Sequence, residues 1–389
     1  MMAELGHFFD SLKFTKEEYT SRLSKVRANM RESGIDVLVL FGPRNFYYLT
    51  GYQSQATYYQ AMIVTPDELV PFVRYMESVI ARTTMAVGAE NLVLWQDHLD
   101  ATAVLAQLFK DKGWHDQRIG IEKKAPNFTV TDYERLVSAL GRPVVDGSKC
   151  IEDVRVIKSP QEIEYMKKAA RLTSVGMQAA MESLAEGKSE NEVAGCLQNA
   201  IYSAGGEGTK PPTVSSGPMS GVAHSMHYRY VLKRGDAVVF EFSGCWLGYP
   251  APLIRTGCVL EASSQIREMA DACIGGVEAA INKIRPGAIS GDVDEACRKV
   301  IEDYGFEEMF RKRTGYGIGI FKPGWAEGDL IDIKRDDPRE LQEGMTFHLV
   351  PALRDPRKYG AGFSETVVVT KHGCEVITTF PRKLYISIR

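Results

Sequence analysis

Val238–Thr256 reads V-V-F-E-F-S-G-C-W-L-G-Y-P-A-P-L-I-R-T, and the interpretation of the whole chain turns on it. Its two apolar runs predict neighbouring strands over 237–244 and 247–259. Glu241 breaks the first run with a charge, F-E-F, and Glu365 does the same in F-S-E-T-V-V-V. A carboxylate buried in such a strand is costly unless it is paired or meets a cation. Two of them predict a pocket built for a positively charged ligand.

Further strands are expected over 211–216, 345–351, 363–370 and 374–378, in one curved antiparallel sheet. Ahead of these, Ser159 is a good N-cap, with Pro160 at the first helical position and Glu162 completing a capping box for a helix running to Leu184. Gly187, Val193, Ile201 and Gly205 recur 100 positions later as Gly287, Val293, Ile301 and Gly305. Each set follows a longer helix, 160–185 or 263–284, which predicts two pseudo-symmetric helix pairs on one face of the sheet. Towards the N-terminus, residues 15–33 read as an amphipathic helix presenting Tyr19, Leu23, Val26 and Met30, stopped by Gly34. The alternation of strand, loop and helix from there to Glu122 gives an α/β unit, and Ile151–Ser159 reads as a linker. The expected domains are 1–155 and 156–389.

Composition narrows the function. A chain of 389 residues is long enough for two cores. Hydrophobic residues make up 44%, charged residues 25% and the net charge is -3, with Lys and Arg dispersed. Nothing there asks for nucleic acid or an anionic membrane. No run approaches the roughly 20 apolar residues of a membrane span, and M-M-A-E-L-G-H-F-F-D has no secretory pattern. Seven scattered cysteines without a C-x-x-C pair fit reduced thiols in a cytoplasm.

The phrases I-K-S-P-Q-E-I-E-Y-M-K-K-A-A, L-x-x-G-D-A-V-V-F, G-Y-G-I-G-I, E-G-M-T-F-H-L-V-P and S-E-T-V-V-V-T-K-H-G together span most of the chain. In order and spacing they resemble the superfamily of methionine aminopeptidases, prolidases and creatinases. The resemblance implies a "pita-bread" α/β catalytic domain behind a creatinase-like N-terminal domain. That superfamily holds two metal ions with Asp, Asp, His, Glu and Glu, and the matching positions are taken as Glu241, Pro252, Tyr316, Val350 and Glu365. Proline offers no side-chain donor and valine none, so a dinuclear site is not expected to close. No metal and no cofactor is expected.

E-x-x-G-C, P-L-x-R-T, R-T-G-Y-x-I-G, G-M-T-F-H and the terminal P-R-K-L are similar to the metal-free ectoine hydrolases of that superfamily. This resemblance implies a small cationic cyclic amidine as the substrate, whose charge already makes its central carbon electrophilic. It implies that Glu241 attacks that carbon or activates a water for it, and that Glu365 holds the amidinium. In the same pattern His224 shuttles a proton to the leaving nitrogen, a task that suits an imidazole. His348, Tyr316, Trp325 and His227 are further substrate-binding candidates; His348 and Trp325 read equally as core residues. Tyr52, Tyr58, Tyr59 and Arg255 are candidate donors to a substrate carboxylate. The resemblance also implies a homodimer, with the N-terminal domain near the partner's site. Q-S-Q-A-T-Y-Y-Q after the L-T-G-Y departs from the ectoine hydrolase pattern, which bears on the substrate. A metal-dependent Xaa-Pro dipeptidase, a creatinase-like amidinohydrolase and a non-enzymatic binding module stay open as alternatives.

Overall fold

Thr15 accepts a hydrogen bond from the Glu18 N–H at 3.2 Å and starts a helix, Lys16–Glu32, that buries Tyr19, Leu23, Val26 and Met30. The computed structural model describes residues 13–54, 58–208, 210–225, 229–320, 324–327, 330–356 and 358–388. The chain divides into two compact units, Met1–Arg155 and Val156–Arg389.

The first unit is built on a six-stranded sheet of β1 (Val37–Leu40), β2 (Ala61–Val64), β3 (Leu69–Arg74), β4 (Val93–Trp95), β5 (Ile119–Ile121) and β6 (Val145–Asp146). Their order is β4-β3-β2-β1-β5-β6. Helices Ala101–Asp111 and Val130–Leu140 pack against it through Leu105, Phe109, Leu136 and Leu140. The expected linker is corrected at its start. Lys149–Arg155 is helical, with Ile151 and Val154 buried.

The second unit carries the two helix pairs. Ser159 and Glu162 form the expected reciprocal cap, with the Ser159 N–H donating to Glu162 at 2.8 Å, and open the helix Pro160–Ser183. Its partner is Glu190–Ser203; the second pair is Ser264–Lys283 with Ser290–Asp303. Gly187, Gly205, Gly287 and Gly305 all have φ between 75° and 85°. That left-handed backbone disfavours any side chain and explains why the glycines repeat.

Strands β7 (Thr213–Ser216), β8 (Ala237–Phe242), β9 (Cys245–Trp246), β10 (Tyr249–Pro250) and β11 (Leu253–Cys258) precede the second helix pair. After it come β12 (Gly315–Gly317), β13 (Asp332–Ile333), β14 (Thr346–Leu349), β15 (Ala352–Asp355), β16 (Tyr359–Gly362), β17 (Glu365–Thr370), β18 (Gly373–Val376) and β19 (Tyr385–Ile386). Instead of one ladder there are, among the described residues, two larger sheets, β19-β11-β8-β7 and β13-β12-β14-β17-β18, and two two-stranded ones, β10-β9 and β15-β16. Side chains close the seam between the two larger sheets. Ser364 Oγ accepts the Ile254 N–H at 2.5 Å, and Thr256 Oγ1 both donates to the Gly362 carbonyl (3.0 Å) and accepts its N–H (2.9 Å).

Each helix pair covers one sheet from the same side. Met177, Leu197 and Ile201 pack on Val238, Phe240 and Leu253, and Cys273, Val293 and Ile301 pack on Phe347, Leu349, Val367 and Val369. Strand alternation therefore turns Val239, Glu241 and His348 to the uncovered face. That face is where the site lies. Among the described residues no helix is long and apolar enough to cross a membrane.

Candidate functional site

Glu241 pairs across the sheet with Ile254 on β11 and with Thr213 on β7. Tyr316, on β12, pairs with His348 on β14. Glu241, Tyr316, Val350 and His224 line one cavity of about 960 Å³. Three of the five expected ligand positions thus meet there, and His224 joins them from the loop before β8, with a φ of 56°. Positive φ is uncommon outside glycine, though tolerated by His. His227 lies outside the described residues.

Glu365 is the main correction. On β17 it pairs with Leu349, whereas its neighbour Thr366 pairs with His348. Because alternation flips the face at every residue, Glu365 leaves the cavity side and Ser364 takes it. The Glu365 carboxylate accepts from Arg255 at 2.7 Å and from Arg382 at 2.9 Å, and also from the Thr378 hydroxyl. It is 2% exposed and is the counterion of two arginines, not a grip for substrate.

Arg255 is likewise committed. Its remaining N–H groups reach the carbonyls of Pro381, Ile254, Ser364 and Phe380 at 2.6–2.9 Å, which uses its full set of donors. It has nothing left for a substrate carboxylate.

These placements decide whether two metal ions fit. Of the five matching positions, those lining the cavity offer the carboxylate of Glu241, the phenol of Tyr316 and no donor at Val350, beside the imidazole of His224. Pro252 has no side-chain donor, and Glu365 is spent on Arg255 and Arg382. Val239, Ile254 and Val350 form an apolar cluster against Tyr316. Among the described residues no group of three or more His, Cys, Asp or Glu is arranged to hold a metal. A divalent ion needs several O or N donors, so the residues present do not fit a metal pair.

A polar chain runs behind Tyr316. Ser364 Oγ lies 2.8 Å from His348 Nε2, His348 Nδ1 lies 3.0 Å from the Tyr316 hydroxyl, and Trp325 Nε1–H donates to that hydroxyl at 3.1 Å. Ser364 Oγ accepts from Ile254 with one lone pair and meets Nε2 with either its proton or its second lone pair. With the ring proton on Nδ1, His348 donates to Tyr316, and the phenol oxygen then accepts twice and keeps its proton for the cavity; with it on Nε2, Tyr316 donates to Nδ1. Burial, then the charges of Lys312, Lys210 and Arg255, push the His348 pKa well below the usual 6.5 and keep the ring neutral. Burial, then Glu241, pushes the Tyr316 phenol up, so it stays a donor. His348 and Trp325 both contact Tyr316, and neither is among the described residues that line the cavity. Tyr316→Phe is expected to lower kcat/KM by roughly ten-fold, the loss of one hydrogen bond, with thermal stability as the control.

Gly319 explains part of the G-Y-G-I-G motif. A Cβ there would sit 2.2 Å from the Glu327 carboxylate. Glu327 pairs with Lys158 at 3.1 Å, both nearly fully buried, two residues from Trp325.

The three tyrosines belong to the first unit. Tyr59 packs among Phe41, Phe72 and Phe128 at 5.7–6.4 Å and is part of that core. Tyr52 is 2% exposed and lies against Phe46 at 5.7 Å. Tyr58 is 52% exposed, under the Arg74 guanidinium at 4.0 Å.

Sequence reading missed Lys312, which also lines the cavity. The signal was the basic run R-K-R immediately before T-G-Y. Burial, offset in part by Glu241, pulls the Lys312 pKa down to about 8.

Comparison with known proteins agrees with this architecture. Residues 164–371 match the Metallopeptidase family M24, and residues 22–157 match the Creatinase/Prolidase N-terminal domain. The chain is 30% identical to the ectoine hydrolase of Halomonas elongata over 97% of this chain and 99% of that protein. It is 24% identical to the Xaa-Pro dipeptidase of Pyrococcus horikoshii, over 93% and 98%. The crystal structure of dipeptidase PepE from Mycobacterium ulcerans shares the fold with a TM-score of 0.84 at 24% identity, over 96% of this chain and 99% of that one.

Proposed function

Because the chain belongs to the Metallopeptidase family M24, behind a Creatinase/Prolidase N-terminal domain, we propose that it is a hydrolase that opens a C–N bond of a small cationic cyclic amidine without metal. The observation that carries this is Glu241. Among the described residues its carboxylate has no hydrogen bond and no ion pair within 4.0 Å, yet it lines a cavity with Tyr316 and Val350, while the other two matching positions hold Pro252, without a side-chain donor, and Glu365, paired with Arg255 and Arg382. A half-buried acid without a pairing partner suits a cationic ligand.

The chemistry is set by charge. An amidinium carbon is electrophilic without a Lewis acid. Glu241 adds to it, or removes a proton from a water that does. The tetrahedral intermediate expels one ring nitrogen, which leaves as an amine after taking a proton delivered by His224; in the covalent route a water then attacks the Glu241-bound carbon, the Glu241–carbon bond breaks and the carboxylate is regenerated. Net addition of one water gives an amide and an ammonium, so charge is conserved. With the His348 proton on Nδ1, Tyr316 donates its own proton to the polar atoms of the substrate as charge redistributes. With ectoine the product is an N-acetyl-2,4-diaminobutyrate; the likeness to the Halomonas enzyme makes ectoine the first substrate to try.

A dipeptidase reading rests on the Pyrococcus relative, and its chemistry would need the ligand set that the site lacks. The experiment is a panel of ectoine, hydroxyectoine, creatine and Xaa-Pro dipeptides, with products identified by mass. Ring opening of an ectoine supports the proposal. Release of proline from dipeptides, with ectoine untouched, would overturn it.

A further inference from the structure

The cavity wall also holds a half-buried cation without a partner, whereas its other unpaired charges, Glu302, Glu307, Glu308 and Arg335, are exposed. Among the described residues the Lys312 ammonium, like the Glu241 carboxylate, has no hydrogen bond and no ion pair within 4.0 Å. Both line the same cavity. Other cations of the wall are taken up: Arg298 pairs with Asp294, and Arg313 with Asp332 at 3.3 Å. Arg354, which does not line the cavity but on which Glu241 acts, donates to the Ser220 carbonyl. Arg335 has no such partner but is exposed, where an ammonium or guanidinium is satisfied by water.

Lys312 is also held in place. Its carbonyl accepts from Arg298 at 2.6 Å, and the Arg298 partner Asp294 accepts the Thr314 N–H at 3.0 Å. On the other side the Val350 N–H donates to the Thr314 carbonyl at 2.6 Å. The segment is pinned between the helix Ser290–Asp303 and the end of β14. A half-buried cation and a half-buried anion that share a cavity without pairing are each costly alone. A ligand with opposite charges at its two ends offsets both costs at once.

We propose that Lys312 binds the carboxylate of a zwitterionic substrate whose cationic end lies on Glu241. This rests on the hydrolase reading above and narrows it to amidines that carry a carboxylate. It also explains the direction of binding: the charged pair orients the ring so that its amidinium carbon meets Glu241.

The test compares ectoine with 2-methyl-1,4,5,6-tetrahydropyrimidine, the same cyclic amidine without the carboxylate. In the wild type, KM for the acid is expected to be lower by 10-fold or more, roughly the worth of one charge-assisted hydrogen bond. Lys312→Met is expected to raise KM for the acid by 10–100-fold, at least ten-fold more than for the descarboxy amidine, and to affect kcat less. Lys312→Arg is expected to retain the preference, which separates charge from folding. The preference should also fade as pH rises through about 8, where Lys312 loses its proton; Glu241, Arg354, Arg313 and Cys273 are the groups that act on it. Equal losses on both substrates, or none on the acid, overturn the proposal. If the wild type opens neither amidine, the hydrolase reading fails separately. Calorimetric binding of the same two compounds then decides Lys312: an acid preference lost in Lys312→Met upholds the site, and no preference overturns it.

Discussion

Glu241→Gln is expected to reduce turnover of a cyclic amidine by roughly 10³-fold or more while leaving the melting temperature close to that of the wild type. The amide keeps the size and the strand position of the glutamate but cannot attack the amidinium carbon or take a proton. Glu241 makes no structural hydrogen bond or ion pair among the described residues, so little stability rests on its charge. Steady-state kinetics and a thermal melt on the same preparation check both halves. Retained turnover would remove Glu241 from the chemistry.

Glu365→Ala is expected to behave in the opposite way, costing about 3–5 kcal/mol of stability. It would leave Arg255, which is 0% exposed, without its counterion, and would unbalance Arg382 and Thr378 as well. Denaturant unfolding measures this directly. Had Glu365 gripped the substrate, Glu365→Gln would abolish turnover in a protein of normal stability. The geometry predicts instead that any loss of activity in that variant follows its loss of stability.

The difference between the two glutamates shows where a sequence stops being readable. Both look alike in one dimension, a single acid in an apolar strand. The face each one takes depends on register, and a shift of one residue moves a side chain to the other side of the sheet. F-S-E-T does not say whether Ser364 or Glu365 faces inward; the pairing of Thr366 with His348 does. The helix pairs were legible because local chemistry specifies them. Ser159, Pro160 and Glu162 are a cap in any context, and the glycines at 187, 205, 287 and 305 mark positive φ. β12 carries no such mark. It is G-Y-G, three residues without alternation, held by strands whose partners lie far along the chain. Lys312 was hidden for a related reason. In R-K-R a lysine reads as solvated surface, and only the tertiary fold sets it in the same cavity as Glu241. The tyrosines of 52–59 were grouped by chemistry alone, whereas packing gives Tyr59 to the core of its unit.

The proposed catalysis by a single carboxylate without metal is best tested on one sample of purified enzyme. The sample is stripped with chelator, its metal content is determined by elemental analysis, and ectoine ring opening is assayed. The prediction is well under one metal ion per chain with undiminished turnover, before and after added manganese or zinc. Turnover that disappears with the chelator and returns with about two ions per chain would contradict it.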